Sequence, residues 1–431
     1  MASTAARPFR RAAPWLLALL GVGFLPAQDD LRDVITLRGG RELTGRVFSR
    51  YEPEGLVLLQ GSRRTTIDKA DVTAFDTVRD RVATFFTMRD RLPNNERHRW
   101  YVAEWAQSHG LPAMARLQAL DVVLHDPEHE GAHRMLGHRR SGKRWLWPDS
   151  DENRTLAYLE RERADWGSAW LLDSEHYTLH TNTNLRRAVD TLFDLERFHA
   201  WWYEQFGEAM RLYEVVGHRV LVHAWRDITS FSGLSSDKHP YFRHRIEGVS
   251  DPASSNTYFL DANAPRPERL FEVVTQHLLY RTLTDDPALR SGHRYCGFGE
   301  VGLARYVESC FGGPAGQASA SGWRIEPGDG RLVVAERSTN LANMIHRSVR
   351  QFHFVVADDT AFYWAGAHLF VAYVLQDAQL RGGFFSYLGA ALCDAKGDSS
   401  AEFDRRFGQT AEALEPKWRR WIAEQLAALP H

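Results

Sequence analysis

Two apolar segments about twenty residues apart constrain this chain more than any other feature. Glu268-Arg-Leu-Phe-Glu-Val-Val-Thr-Gln-His-Leu-Leu-Tyr-Arg-Thr-Leu283 carries its apolar residues at helical spacing with few charges, so it predicts a helix buried on most sides. Gly299-Glu-Val-Gly-Leu-Ala-Arg-Tyr-Val-Glu308 predicts a second. Such helices are interior elements of a sizeable domain. Polar groups set into them, Glu272, Gln276, His277 and Glu300, must therefore meet partners inside the fold.

The pair resembles the active-site helices of peptidase MA-like proteins, the gluzincin type of zinc metallopeptidase. There the first helix carries His-Glu-x-x-His before Gln-Leu-Leu-Tyr or a similar run, and the second carries Glu-Gly-x-Ala-x-Tyr, whose Glu is the third zinc ligand. Glu300, Gly302 or its neighbour, Ala304 and Tyr306 fit the second element. The first element fits in outline only. Aligned without gaps on Leu278-Leu279-Tyr280, the two histidine positions fall on Glu272 and Gln276, and the general base falls on Val273. A shift of one makes His277 the second histidine, with Val273 and Val274 in place of the first histidine and the base. A third register keeps Glu272 as the base and loses both histidines.

Hydrolytic zinc needs three protein ligands, one open position and a carboxylate beside the bound water. No register supplies that set. The resemblance thus implies a peptidase fold whose site has lost hydrolytic capacity and which acts by binding a protein or peptide. Its cleft would be lined by Glu272, Gln276, His277 and Glu300, with Tyr306 and Tyr363 as neighbours. No cofactor is expected. The alternative is an active zinc peptidase built on Glu300 and His277 with a non-standard third ligand.

A literal His-Glu-x-x-His does occur, at His129-Glu130-Gly131-Ala132-His133. Asp126 and Pro127 predict the N-cap and first position of a short polar helix ended by Gly137, so the motif is expected as an exposed histidine pair; metal at His129 and His133 is the alternative. Gly297-Phe-Gly299-Glu-Val-Gly302 matches Gly-x-Gly-x-x-Gly, but no β-branched strand precedes it and Glu308 comes too soon to hold a ribose. His176 and His180 predict one strand face about 13 Å apart, too far for a shared metal. His239 and His244 fall in a polar loop.

The organisation expected around this core is an α+β multidomain one. Arg7, Arg10 and Arg11, the apolar run Trp15 to Leu25 and Pro26-Ala27 predict a signal peptide over residues 1–27, hence an exported, periplasmic or extracellular chain with no further membrane element. Its removal takes the formal charge from −2 to −5, which gives no electrostatic reason to expect nucleic acid. Alternation around Gly39-Gly40 and short strands to Val78 predict a small SH3-like or Sm-like β-barrel over 28–78. Residues 79–150 predict a helical module with one tetratricopeptide-like pair between Trp100 and Gly137, closed by a hairpin at Gly142. The peptidase-like domain is expected over 151–431, with a strand from Glu175, a helix from Leu185 to Phe206, strands at Arg219–His223 and Thr257–Leu260, a hairpin around Gly328-Asp-Gly330, and a helical tail. Cys296 and Cys310 would stand roughly 20 Å apart along one helix, beyond disulfide reach, so at most one bond, to Cys393, is possible.

Overall fold

The computed structural model describes residues 32–149, 152–215, 219–227, 248–251, 256–260, 268–283, 297–311, 323, 325–335, 340–345, 360–393 and 399–429. The expected signal segment, the histidines at 239 and 244, and Cys296 lie outside these residues. The chain is mixed α and β. No helix among the described residues is long and apolar enough to cross a membrane.

Five short strands open the fold: β1 (Asp33–Leu37), β2 (Glu42–Glu52), β3 (Gly55–Gln60), β4 (Arg63–Ile67) and β5 (Val72–Asp76), in the order β4-β3-β2-β1-β5. Gly39 and Gly40, both at positive φ (89° and 82°), make the tight β1–β2 turn that the sequence predicts. Ile35, Leu37, Val47, Leu56, Leu58 and Ile67 form a small core of their own. The expected closed barrel does not form. β4 and β5 end the sheet on opposite edges, and most of their side chains are exposed, so no apolar seam draws them together. Asp33 ties this sheet to the next element. Its carboxylate accepts from Val47 N (2.6 Å) and from Val78 N (2.8 Å), the first residue of helix α1 (Val78–Arg91).

Helices α2 (Glu96–Ser108) and α3 (Pro112–His125) follow, packed through Ala103, Ala106, Ala115 and Ala119, all fully buried; side chains this small let two helix axes approach closely. The short α4 (Glu130–Met135) leads into the hairpin β6 (Arg139–Ser141) and β7 (Arg144–Asp149), with Gly142 in its turn, and β8 (Glu152–Arg154) completes that sheet. After α5 (Leu156–Glu162) comes the central sheet, β12-β13-β11-β10-β9, made of β9 (Trp170–Asp173), β10 (Tyr177–Thr181), β11 (Val220–Trp225), β12 (Gly248–Asp251) and β13 (Asn256–Leu260). β10, β11 and β13 are parallel and the edges antiparallel. Parallel neighbours need a long crossover. Between β10 and β11 it is α6 (Leu185–Met210), capped by the Asn184 side chain and ended by Arg211 in the left-handed region (φ 53°).

The rest is helical: α7 (Glu268–Thr282), α8 (Gly297–Phe311), α9 (Pro327–Ala335), α10 (Leu341–Ile345), α11 (Thr360–Gln376), α12 (Ala378–Cys393), α13 (Ser399–Phe407) and α14 (Ala411–Ala427). The hairpin expected around Gly328-Asp-Gly330 is helix α9 instead. Pro327 suits a helix start, and Gly330 is where α14 comes close: a Cβ there would stand 2.9 Å from Leu426. Gly330, which reads as a turn residue in isolation, serves a helix contact here. One apolar core runs from Val78 to Ile422 and joins one face of the central sheet to α6 and the helices that follow it.

Candidate functional site

Helix α7 is buried from Leu270 through Tyr280. Apolar residues fill most of it, and its two threonines satisfy their hydroxyls within the helix, Thr275 on Phe271 O (2.6 Å) and Thr282 on Leu278 O (2.7 Å). Helix α8 packs against it. Gly302 lets α8 also sit directly on α11, since a Cβ there would lie 2.4 Å from the carbonyl oxygen of Ala367. That contact accounts for the last glycine of the Gly-x-Gly-x-x-Gly match.

Polar contacts between described residues join α7 and α8. The Tyr280 hydroxyl donates to Glu300 Oε2 at 2.6 Å, and Arg305 Nη1 lies 3.7 Å from Glu272 Oε2. The early residue of each helix meets the late residue of the other, so the helices run antiparallel. Glu272, Gln276 and Tyr280 follow one another at i, i+4 and i+8 and share a face. Glu300, 2% exposed, faces this helix through Tyr280. Burial pushes its carboxyl up to about 8, only partly countered by the Tyr280 hydrogen bond, so at neutral pH the side chain is a carboxylic acid.

The remaining candidates stand on the same three helices. Tyr306 stands six residues on, about 120° around the helix, where its hydroxyl interacts with Cys310 and burial raises its pKa. Tyr363 is buried on α11 with its ring edge-on to Phe362. His277 is fully buried and lies a further 100° around α7 from Gln276. Zinc would need anionic or imidazole donors converging near 2 Å. Here Glu300 is a hydrogen-bonded neutral acid, Glu272 faces a guanidinium and Gln276 carries an amide. Among the described residues no three His, Cys, Asp or Glu side chains are grouped as ligands for a metal ion.

The literal His-Glu-x-x-His is a structural device, and its expected exposure is corrected. His129, not Asp126, is the N-cap of α4: its Nδ1 accepts from Ala132 N at 3.0 Å while the ring packs on Trp100. His133 is 2% exposed and stacks on Trp145 at 4.2 Å. Its Nε2 donates to Pro127 O (2.9 Å), which leaves Nδ1 to accept from His138 Nδ1 (2.7 Å). Both His133 nitrogens are therefore committed. Burial and the neighbouring His133 push His138 down to about 3. Glu130, the would-be base, is exposed and paired with Arg134 at 2.6 Å. The aromatic strand β7 behind the motif is what draws His133 inward.

Three further polar groupings lie on elements that sequence reading treated singly. His176 precedes β10 rather than belonging to it. Its Nδ1 meets Glu196 Oε2 at 2.7 Å, and its ring stacks on His199 at 3.7 Å. Glu196 and His199 interrupt the apolar face of α6, a readable sign of a buried polar partner. Glu175 accepts from Ala113 N and Met114 N at the start of α3, and burial raises its carboxyl to about 7.

His180 and His223, register partners on β10 and β11, bring their Nδ1 atoms to 3.2 Å. Burial lowers both pKa values, that of His223 to about 3. Beside α1 and α6, buried Asp121 is ringed by Arg99 (2.5 Å), Arg186 (2.6 Å), His125 (3.4 Å) and Arg89 (3.6 Å); burial opposes its ionisation, but the cations hold its pKa low. An open cavity of about 510 Å³ lies next to it, lined by Arg89, Arg99 and Arg197 and by Asp90, Asp190 and Asp194.

Compared with known protein families and with curated proteins, the chain matches none.

Proposed function

We propose that the chain is an exported, peptidase-like protein that has lost hydrolytic capacity and acts by binding a protein or peptide partner. In this reading residues 1–27 are the signal peptide, 79–150 a tetratricopeptide-like helical module that docks on its neighbours, and 151–431 a peptidase MA-like domain. The observation that carries it is the pairing of α7 with α8. The Glu-Gly-x-Ala-x-Tyr-like segment packs antiparallel to the helix in which the resemblance expects the histidines. Where that helix would offer two imidazoles it offers Glu272, turned to Arg305, and Gln276. Glu300, the third-ligand position, holds a proton and a tyrosine hydrogen bond. Val273 at the base position cannot accept a proton, and general-base help is worth roughly a hundred- to ten-thousand-fold in rate. The close packing of α2 on α3 through small residues supports the helical-module assignment.

The test is zinc content and peptide hydrolysis by the purified chain, with a variant that restores the pattern through Glu272→His, Val273→Glu and Gln276→His. We expect the wild type to show no chelator-sensitive hydrolysis of a broad peptide library, with or without added zinc. Robust hydrolysis that a chelator abolishes and Glu300→Gln removes would overturn the reading and favour an active peptidase. Zinc lost on His129→Ala would move the metal to the helical module.

A further inference from the structure

Between the end of α1, the turn into α2 and one flank of α6 lies the open cavity of about 510 Å³, a size common for small-molecule sites. Most of the polar groups that line it are already spent. Arg197 holds Asp90 with both ends of its guanidinium (2.7 Å at Oδ2), Arg99 donates to buried Asp121 (2.5 Å), the His98 ring meets Asn95 Oδ1 (2.9 Å), and Asp194 has a partner of its own.

Two charges are not spent. Among the described residues Arg89 makes no hydrogen bond. Its guanidinium sits over the Phe193 ring at 3.6 Å, and the carboxylate it pairs with, Asp121, stands 3.6 Å away and is already shared by Arg99 and Arg186. The side chain is 22% exposed; burial lowers its pKa despite Asp121, with Arg197 and Arg99 adding like charge. Asp190 lies three residues before Phe193 on α6, hence on the same face, and among the described residues it has neither a hydrogen bond nor an ion pair. Leu92, Pro93 and Val102 complete an apolar wall with Phe193.

An anion alone would suit Arg89 and be repelled by Asp190, and a cation alone would meet the reverse. A ligand that carries both charges close together, on a short apolar body, satisfies both groups at once. We propose that this cavity binds a free apolar α-amino acid, its carboxylate on the Arg89 guanidinium, its ammonium on Asp190, and its side chain against the wall of Leu92, Val102 and Phe193. The planar guanidinium offers a carboxylate two parallel N–H donors, and its seat on Phe193 fixes that plane before the ligand arrives. A peptide does not meet the same requirement, because the ammonium and carboxylate of one residue are both free only in an amino acid. The cavity shares no residue with the α7–α8 pair, so its fate does not decide the peptidase-like reading.

The experiment titrates the full chain by isothermal calorimetry with L-leucine, L-methionine and L-phenylalanine, then with the analogues of the tightest binder that lack one charge. For leucine these are 4-methylpentanoate, without the ammonium, and 3-methylbutylamine, without the carboxylate. We expect one amino acid bound per chain and both analogues weaker by at least about tenfold, the worth of a hydrogen-bonded charge. Asp190→Asn should weaken the amino acid to the level of its deamino analogue without weakening that analogue, a selectivity that general damage to the fold would not produce. Arg89→Gln should weaken both. The wild-type series needs no variant and Asp190 is an exposed side chain, so the test stands even if Arg89→Gln fails to fold. No binding of any of the three amino acids, a deamino analogue as tight as its parent, equal weakening of both ligands by Asp190→Asn, or unchanged binding in folded Arg89→Gln would overturn the proposal.

Discussion

Replacing Glu300 by Gln tests the reading of the α7–α8 contact most directly. In the folded chain burial lifts this carboxyl from 4.5 to about 8, whereas in the unfolded chain it titrates normally. The folded state therefore keeps a proton that the unfolded state releases above pH 4.5. The stability contributed at Glu300 is fully present below pH 4.5, declines through the window from 4.5 to about 8, and is level beyond it. At about 1.4 kcal/mol per unit the whole change is on the order of 5 kcal/mol, and some 3 kcal/mol of it has been lost by pH 7. Gln at this position still accepts the Tyr280 hydroxyl but does not titrate. Its amide N–H groups, if buried without acceptors, cost about 1–3 kcal/mol at every pH. The variant should thus be less stable than the wild type at pH 4.5 and more stable at pH 8, so the two curves cross. Urea unfolding followed by circular dichroism at half-unit pH steps gives the difference, in which the titration of other groups cancels. Parallel curves would refute the buried neutral acid. A wild type that gains stability over the variant as pH rises would point to an ionised, ligand-bound Glu300 instead.

Gly302→Ala puts a methyl 2.4 Å from Ala367 O and should cost about 1–3 kcal/mol despite the better helix propensity of alanine, read as a lower urea midpoint; no loss would mean that α8 and α11 do not touch there. His129→Ala should cost about 1 kcal/mol as a lost N-cap, measured the same way. His133→Ala, which removes a partner of buried His138 and the stack on Trp145, should cost more than the cap variant in the same assay. His138, held near 3, protonates in the unfolded chain first, so its contribution is present above pH 6.5 and lost as pH falls toward 3; His138→Asn should flatten the acid limb of the stability curve.

Local pattern was enough for those elements whose side-chain period matches their environment. The Leu185 to Phe206 helix, four residues longer in the structure, the turns at Gly39-Gly40 and Gly142, and the strands at Val220 and Asn256 are all legible because alternation or helical spacing recurs over enough residues. Glycine was ambiguous for a physical reason. Gly328-Asp-Gly330 has the composition of a turn, yet Gly330 is selected by the approach of α14, which no local window contains. Closure of the N-terminal strands was likewise beyond local pattern, because it depends on whether two edge strands far apart in sequence meet.

At the candidate site the donors are legible residue by residue: no single register of α7 offers both histidines and the base that the resemblance expects, although His277 and Glu272 each fill one position in a shifted register. What these polar residues do instead is set by packing between distant elements. The fold buried Glu300 against Tyr280, turned Glu272 to Arg305, spent His129 on a helix cap and both nitrogens of His133 on hydrogen bonds, and set His180 beside His223. Side-chain chemistry is carried by each residue alone, whereas protonation and pairing depend on neighbours that the chain brings together only by folding.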